Sequence, residues 1–311
     1  MLESILSGLT KSPRPPGVIT GVYEAQPIIA SGDFNFLNVV GSLVRVGDYL
    51  YIGPGSISSG GSYNLMSNFY RYNLKTFKLE QLNTCPKAVS FATMCHDNGK
   101  LYLYAGIPAS GTNSPLCVYD IASGVWVNTG LASQARKNCR SFVYNGRLYT
   151  LGGGLSSGGV YYDVISYDLK DYSSINHGNF LNQTGAGYLF NEGSGVLIGS
   201  KFYFSRGGNS SNDAWMVFDA AKLTLTVLTM NPSAVAGGSP VLFGDKIVMR
   251  NGNASISLYD ILTDKWTVVP AQANTSYSGN GQSAHFEYDN SLWTKQLNAN
   301  DTTLRRFWRI N

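Results

Sequence analysis

Six times along the chain an apolar strand runs into a two-residue turn and out again into a second apolar strand. The turns are Gly47-Asp48, Asn98-Gly99, Asn145-Gly146, Gly199-Ser200, Gly244-Asp245 and Asp289-Asn290, at successive spacings of 51, 47, 54, 45 and 45 residues. Gly, Asn and Asp suit tight hairpins because they tolerate positive φ. Three residues after the first turn position stand Leu50, Leu101, Leu148, Phe202, Ile247 and Leu292. The next column reads Tyr51, Tyr102, Tyr149, Tyr203, Val248 and Trp293. Eight residues after the turn come Gly55, Gly106, Gly153, Gly207 and Gly252, with Leu297 breaking the series. Three matching columns mark an internal repeat, and a period of this length belongs to a solenoid, a propeller or an array.

A second signature follows each hairpin. Tyr72-Asn73, Tyr119-Asp120, Tyr167-Asp168, Phe218-Asp219, Tyr259-Asp260 and Trp308-Arg309 each close a third strand, and in four copies an Asp opens the next turn. A fourth strand is expected beyond it, marked by Phe77, Trp126, Tyr172, Leu225 and Trp266. Each copy is then a four-stranded antiparallel sheet. Six of them predict an all-β, six-bladed β-propeller. The Tyr column is expected to fill the space between blades rather than form a stacking platform, since each sheet is covered on both faces.

These residues resemble the kelch family, whose repeats run to about 50 residues. The resemblance places a Gly pair after the second strand, a Tyr in the third and a Trp in the fourth. Gly152-Gly153-Gly154, Gly207-Gly208, Trp126 and Trp266 match that pattern, over approximately residues 31–311. The resemblance speaks for fold. It leaves function open, because kelch propellers include binding modules, carbohydrate enzymes and oxidases.

The sixth copy reaches only its third strand, Arg305–Ile310, before Asn311. An open sheet edge leaves unpaired N–H and C=O groups, so the β-like segment Val18–Glu24 is expected to complete it. The propeller is thus read as residues 18–311, with ring closure by 18–30. Residues 1–17 read as a docking tail. Leu2, Ile5, Leu6 and Leu9 share one helical face, and Ser12–Gly17 forms a Pro-rich spacer. The tail is expected to dock on another protein of a larger assembly or on a neighbouring subunit.

Composition narrows the function. Charged residues make up 14% and aromatics 13%, a balance that excludes a disordered chain. No apolar run reaches the roughly 20 residues of a membrane-spanning helix. The net charge of +4 comes without a Lys/Arg block, so nucleic acid is not an expected partner. The N-terminus lacks the basic n-region of a secretory signal, and the chain is expected to be made in the cytoplasm. Cys85, Cys95, Cys117 and Cys139 show no Cys-x-x-Cys spacing and are read as reduced, mostly buried thiols. His96, His177 and His285 are not at metal-ligand spacing. No metal or cofactor is expected.

The loops between second and third strands are read as Gly53–Asn68, Ala105–Pro115, Gly152–Asp163, Gly207–Ala214, Asn251–Ser255 and Gln296–Thr303. They are rich in Gly, Ser and Asn, a composition that binds by shape and hydrogen bonding. Tyr63, Tyr161, Tyr162, Tyr188 and Tyr277 are contact candidates because no repeat accounts for them. Arg136, Arg140, Arg206 and Arg250, with Glu192, form a candidate pocket for an acidic sugar, since Arg forks hold carboxylates bidentately. The competing reading has these arginines pairing with turn acids.

The expectation is a non-enzymatic structural and recognition propeller in a larger assembly. The preferred setting is a bacteriophage tail or other virion component that binds a partner protein, a host receptor or a surface glycan. The alternatives are a mutarotase, epimerase or hydrolase of an acidic sugar, and a kelch-type adaptor.

Overall fold

The computed structural model describes residues 19–20, 24–27, 42–59, 62–108, 113–154, 159–180, 195–205, 214–232, 239–250, 256–269, 283–296 and 303–310. Blade one contains Leu43–Val46, Tyr49–Ile52, Tyr70–Asn73 and Lys78–Gln81. Blade two contains Thr93–Asp97, Lys100–Tyr104, Asn113–Asp120 and Val125–Gln134. Blade three contains Arg140–Tyr144, Arg147–Leu151, Asp163–Asp168 and Ser174–Asn179. Blade four contains Gly195–Ile198, Lys201–Ser205, Trp215–Asp219 and Thr224–Leu228. Blade five contains Val241–Phe243, Lys246–Arg250, Ile256–Asp260 and Lys265–Val269.

Six blades of one kind were expected, and five are four-stranded antiparallel sheets whose strands pair in chain order. The sheet that closes the ring is composite. Ser283–Tyr288, Ser291–Gln296 and Thr303–Ile310 are joined by Ile19–Thr20 and Glu24–Pro27 from the start of the chain. Ile19 faces Ile310 and Thr20 faces Arg309; after a one-residue change of register, Glu24 faces Arg306 and Pro27 faces Thr303. The closing strand is therefore two short pieces, and it extends past the expected Glu24.

The first strands of successive sheets abut one another from Leu43–Val46 round to Ser283–Tyr288, which makes them the innermost strands. The circuit closes where Phe286 and Trp293 share a buried cluster with Leu50 and Tyr72. Tyr288 donates to Asp48 Oδ1 at 3.1 Å, and Arg45 lies 3.7 Å from Glu287. The molecule is a β-propeller.

The repeated residues hold neighbouring blades together. Tyr51, Tyr102, Tyr149 and Tyr203 are all buried. Two interfaces use the same aromatic bracket. Between blades one and two, Phe69 meets Trp126 edge-on at 4.9 Å and Tyr51 stacks on Phe69 at 6.0 Å. Between blades four and five, Trp215 meets Trp266 edge-on at 5.4 Å and Tyr203 stacks on Trp215 at 6.3 Å. Each fourth-strand indole also donates to the preceding blade, Trp126 to Asn83 O at 2.9 Å and Trp266 to Thr229 O at 2.7 Å. A large apolar side chain buried in this way contributes about 1.5–3 kcal/mol.

The acid or amide after the third strand shapes the next turn. Asn73 Oδ1 accepts from the amides of Lys75 and Thr76, and Asp219 and Asp260 accept from the corresponding pairs. Asp120 and Asp168 accept from Ser123 and Lys170. The last turn residue has positive φ in every case: Phe77, Gly124, Tyr172, Leu223 and Asp264. Phe77 and Tyr172, expected within fourth strands, thus occupy the turns before them.

Two further differences concern connections. The expected Gly53–Asn68 loop carries a hairpin, Gly55–Ser59 paired with Ser62–Met66. His177, expected between blades, lies in the fourth strand of blade three.

Candidate functional site

The loops between second and third strands share one face of the ring with the segments that lead from each blade to the next. The fourth strand of blade two ends at Gln134, and the chain then crosses to blade three. Arg136 makes an isolated bridge to Gly106 of blade two, while Lys137 bridges to Gly154 of blade three. The crossing needs a neighbour without a side chain. A Cβ on Gly153, whose φ is +104°, would stand 3.2 Å from Arg136 Cβ and 3.0 Å from Cys139 Cβ. Gly106, in the same sequence column, has φ +93°, and its Cβ would stand 2.7 Å from Ser90 O.

Arg136 is only 3% exposed. Its Nη1 lies 2.5 Å from Asp163 Oδ1 and its Nη2 lies 2.9 Å from Oδ2. Nη1 also donates to Gly152 O at 3.2 Å, and the Tyr161 ring lies 3.9 Å from the guanidinium carbon. Asn176 donates to Asp163 Oδ2 at 3.1 Å. Burial opposes the Arg136 charge. The bonds and charge of Asp163 outweigh it, so the pKa is raised above the ordinary arginine value. The fork is thus engaged by a loop acid of its own blade.

Arg140 starts the innermost strand of blade three, 1% exposed. Its guanidinium carbon lies 5.4 Å from the centre of the Phe204 ring in blade four. The two arginines flank Cys139 and turn toward different partners. Tyr162 packs against the core cluster between blades three and four. Tyr63 and Arg250 occupy positions in the strands Ser62–Met66 and Lys246–Arg250. Tyr188, Tyr277, Glu192 and Arg206 lie outside the described residues, as do Leu2, Ile5, Leu6 and Leu9.

The described histidines are separate. His96 is exposed near the first hairpin turn of blade two. His177 shares a 2.8 Å hydrogen bond with Ser166 Oγ and stacks on Tyr149 at 5.7 Å. Burial lowers its pKa, and Arg147 adds to the effect. Among the described residues no three His, Cys, Asp or Glu side chains gather as a metal site. No described helix is long and apolar enough to cross a membrane.

Blades one and two carry additions on this face that the repeat does not require. The Gly55–Ser59 and Ser62–Met66 hairpin packs against Val89–Ser90, which pairs with Ile107–Pro108. Beside them the third and fourth strands of blade two run to 8 and 10 residues and pair to their ends at Asn113 and Gln134. The Ser, Asn and Gly content of these segments was legible in the sequence. Their strand pairing was not. No protein-family model matches the chain, and no curated protein matches it.

Proposed function

We propose that the chain is a non-enzymatic recognition propeller of the kelch type, working as a structural part of a larger assembly. The observation that carries this reading is the added strand structure of blades one and two, in segments whose sequence is rich in Ser and Asn. A Ser/Asn/Tyr-bearing hairpin and an elongated strand pair extend one face of an otherwise regular ring. Paired strands hold such a surface in shape, which lowers the ordering cost of binding. The engagement of Arg136 by Asp163 also supports it, because that fork is already occupied by protein. The preferred setting is a bacteriophage tail or another virion component. Residues 1–17 would attach the ring to a partner, leaving the elaborated face for a host surface protein or glycan.

The test replaces residues 57–63 with a short Gly-Asn turn and compares this variant with the parent chain for association with host envelope fractions and purified virion components. The reading expects binding by the parent and a loss of at least tenfold in the variant, with the circular dichroism spectrum retained. It is abandoned if the parent associates with neither, or if the parent turns over an acidic sugar.

A further inference from the structure

Cys85 and Cys117 come from different blades and meet inside one apolar cluster, with Phe69, Val89, Leu101 and Tyr119 around them. Cys85 follows the outer strand of blade one, where its amide donates to Ser67 O at 2.8 Å. Cys117 lies in the third strand of blade two, opposite Leu103 on one side and Asn128 on the other. Their relative exposures are 3% and 0%, yet Pro86 and Lys87, next along the chain, are exposed. Cys85 therefore sits directly beneath the surface.

The two thiols share a hydrogen bond. That bond draws the Cys117 thiol below its ordinary pKa against the effect of burial, and Lys87 adds a smaller pull in the same direction. The same bond, together with burial, raises Cys85. The shared bond makes the two thiols inequivalent, with Cys117 the readier of the two to lose a proton. Cys95 and Cys139 differ: they meet in another cluster, where Cys95 has its hydrogen bond with Ser141. Burial pushes each of them up to about 12.

We propose that Cys85 and Cys117 are a peroxide-oxidisable pair that closes into a disulfide joining blade one to blade two, while Cys95 and Cys139 stay reduced. The thiolate is the reactive form of cysteine. Cys117 loses its proton to solvent and attacks one oxygen of hydrogen peroxide. The O–O bond breaks, hydroxide leaves and takes up a proton, and Cys117 becomes a sulfenic acid. Cys85 Sγ then attacks Cys117 Sγ, its proton joins the departing hydroxyl, and a second water is released. Two thiols and one peroxide become one disulfide and two waters. Burial favours an oxidant of this size over a bulky disulfide.

Tryptic cleavage places each cysteine in its own peptide: 79–87, 88–100, 101–136 and 138–140. Native protein is treated with hydrogen peroxide, quenched with catalase, unfolded with iodoacetamide present and digested without reductant. The expected product is 79–87 joined to 101–136, lighter than their sum by two hydrogens, with 88–100 and 138–140 alkylated. Alkylation of all four cysteines overturns the proposal, as does a dominant link between 88–100 and 138–140 or a scatter of links among all four. In Cys85→Ala the sulfenic acid has no resolving partner, so dimedone added with the denaturant after oxidation is expected to label 101–136. Absence of that label from soluble, folded variant also overturns it.

Discussion

The phenol oxygens of Tyr104 and Tyr167 stand 2.5 Å apart inside the interface of blades two and three, each the other's hydrogen-bond partner across a sequence separation of 63 residues. Both side chains are buried, and their rings lie 5.0 Å apart. Tyr104→Phe keeps the ring and removes one hydroxyl, so Tyr167 loses this partner in an apolar setting. The expected loss is about 1–3 kcal/mol in chemical denaturation. Removing both hydroxyls leaves no stranded group, so the double Phe variant is expected to be more stable than the sum of the single losses allows. A double-mutant cycle with no coupling would contradict this.

Arg136 and Asp163 make the comparable argument with charges. Arg136→Met leaves a carboxylate that is 13% exposed facing an apolar side chain, and breaking a buried pair from one side costs about 3–5 kcal/mol. Arg136→Met combined with Asp163→Asn removes the uncompensated charge and is expected to recover most of that loss. Urea midpoints for the parent, the single variant and the double variant check the order.

Leu223 holds a φ of +53° at the end of its turn, where Gly124 serves in blade two. The left-handed conformation costs a non-glycine residue about 1–2 kcal/mol, partly offset because glycine loses more freedom on folding. Leu223 is 37% exposed, so the burial lost on replacement offsets part of the gain. Leu223→Gly is expected to stabilise by about 0.5–1 kcal/mol, and Gly124→Leu to destabilise by a similar amount. Thermal melts of the two variants should move in opposite directions.

His177 gives stability a pH dependence. Its folded pKa lies below the ordinary histidine value, so the unfolded chain binds more protons as pH falls through about 6.5. Stability is then expected to rise between pH 5 and pH 7.5 and to fall on acidification. His96, also lowered by burial, acts in the same direction. His177→Gln is expected to flatten the slope of melting temperature against pH over this window. An unchanged slope would remove His177 as a contributor.

The architecture was legible where it is periodic. Leu50, Tyr51 and their counterparts recur because every interface needs the same apolar filling, and Asn73 and the four turn acids recur because every third strand needs the same turn. The missing last strand was legible by subtraction, since an unpaired edge after Ile310 needs a partner from elsewhere. What was hidden is what occurs once. Gly55–Ser59 pairs with Ser62–Met66 in a hairpin of few apolar residues, so its alternation is faint. Asp163 lies 27 residues from Arg136, at no interval that a repeat would reveal. Phe77 and Tyr172 lie a short distance before their expected places, because a large apolar residue in a positive-φ turn reads as the strand that follows it.

The composite sheet imposes an order on synthesis. Pro27 and Thr303 are partners 276 residues apart, so Glu24–Pro27 leaves the ribosome long before the strand it pairs with. Until Thr303–Ile310 emerges, the finished blades form an open arc with two bare ends, each able to recruit a neighbouring nascent chain on the same message. Translation pauses shortly before Thr303 would therefore lengthen the period of greatest aggregation risk.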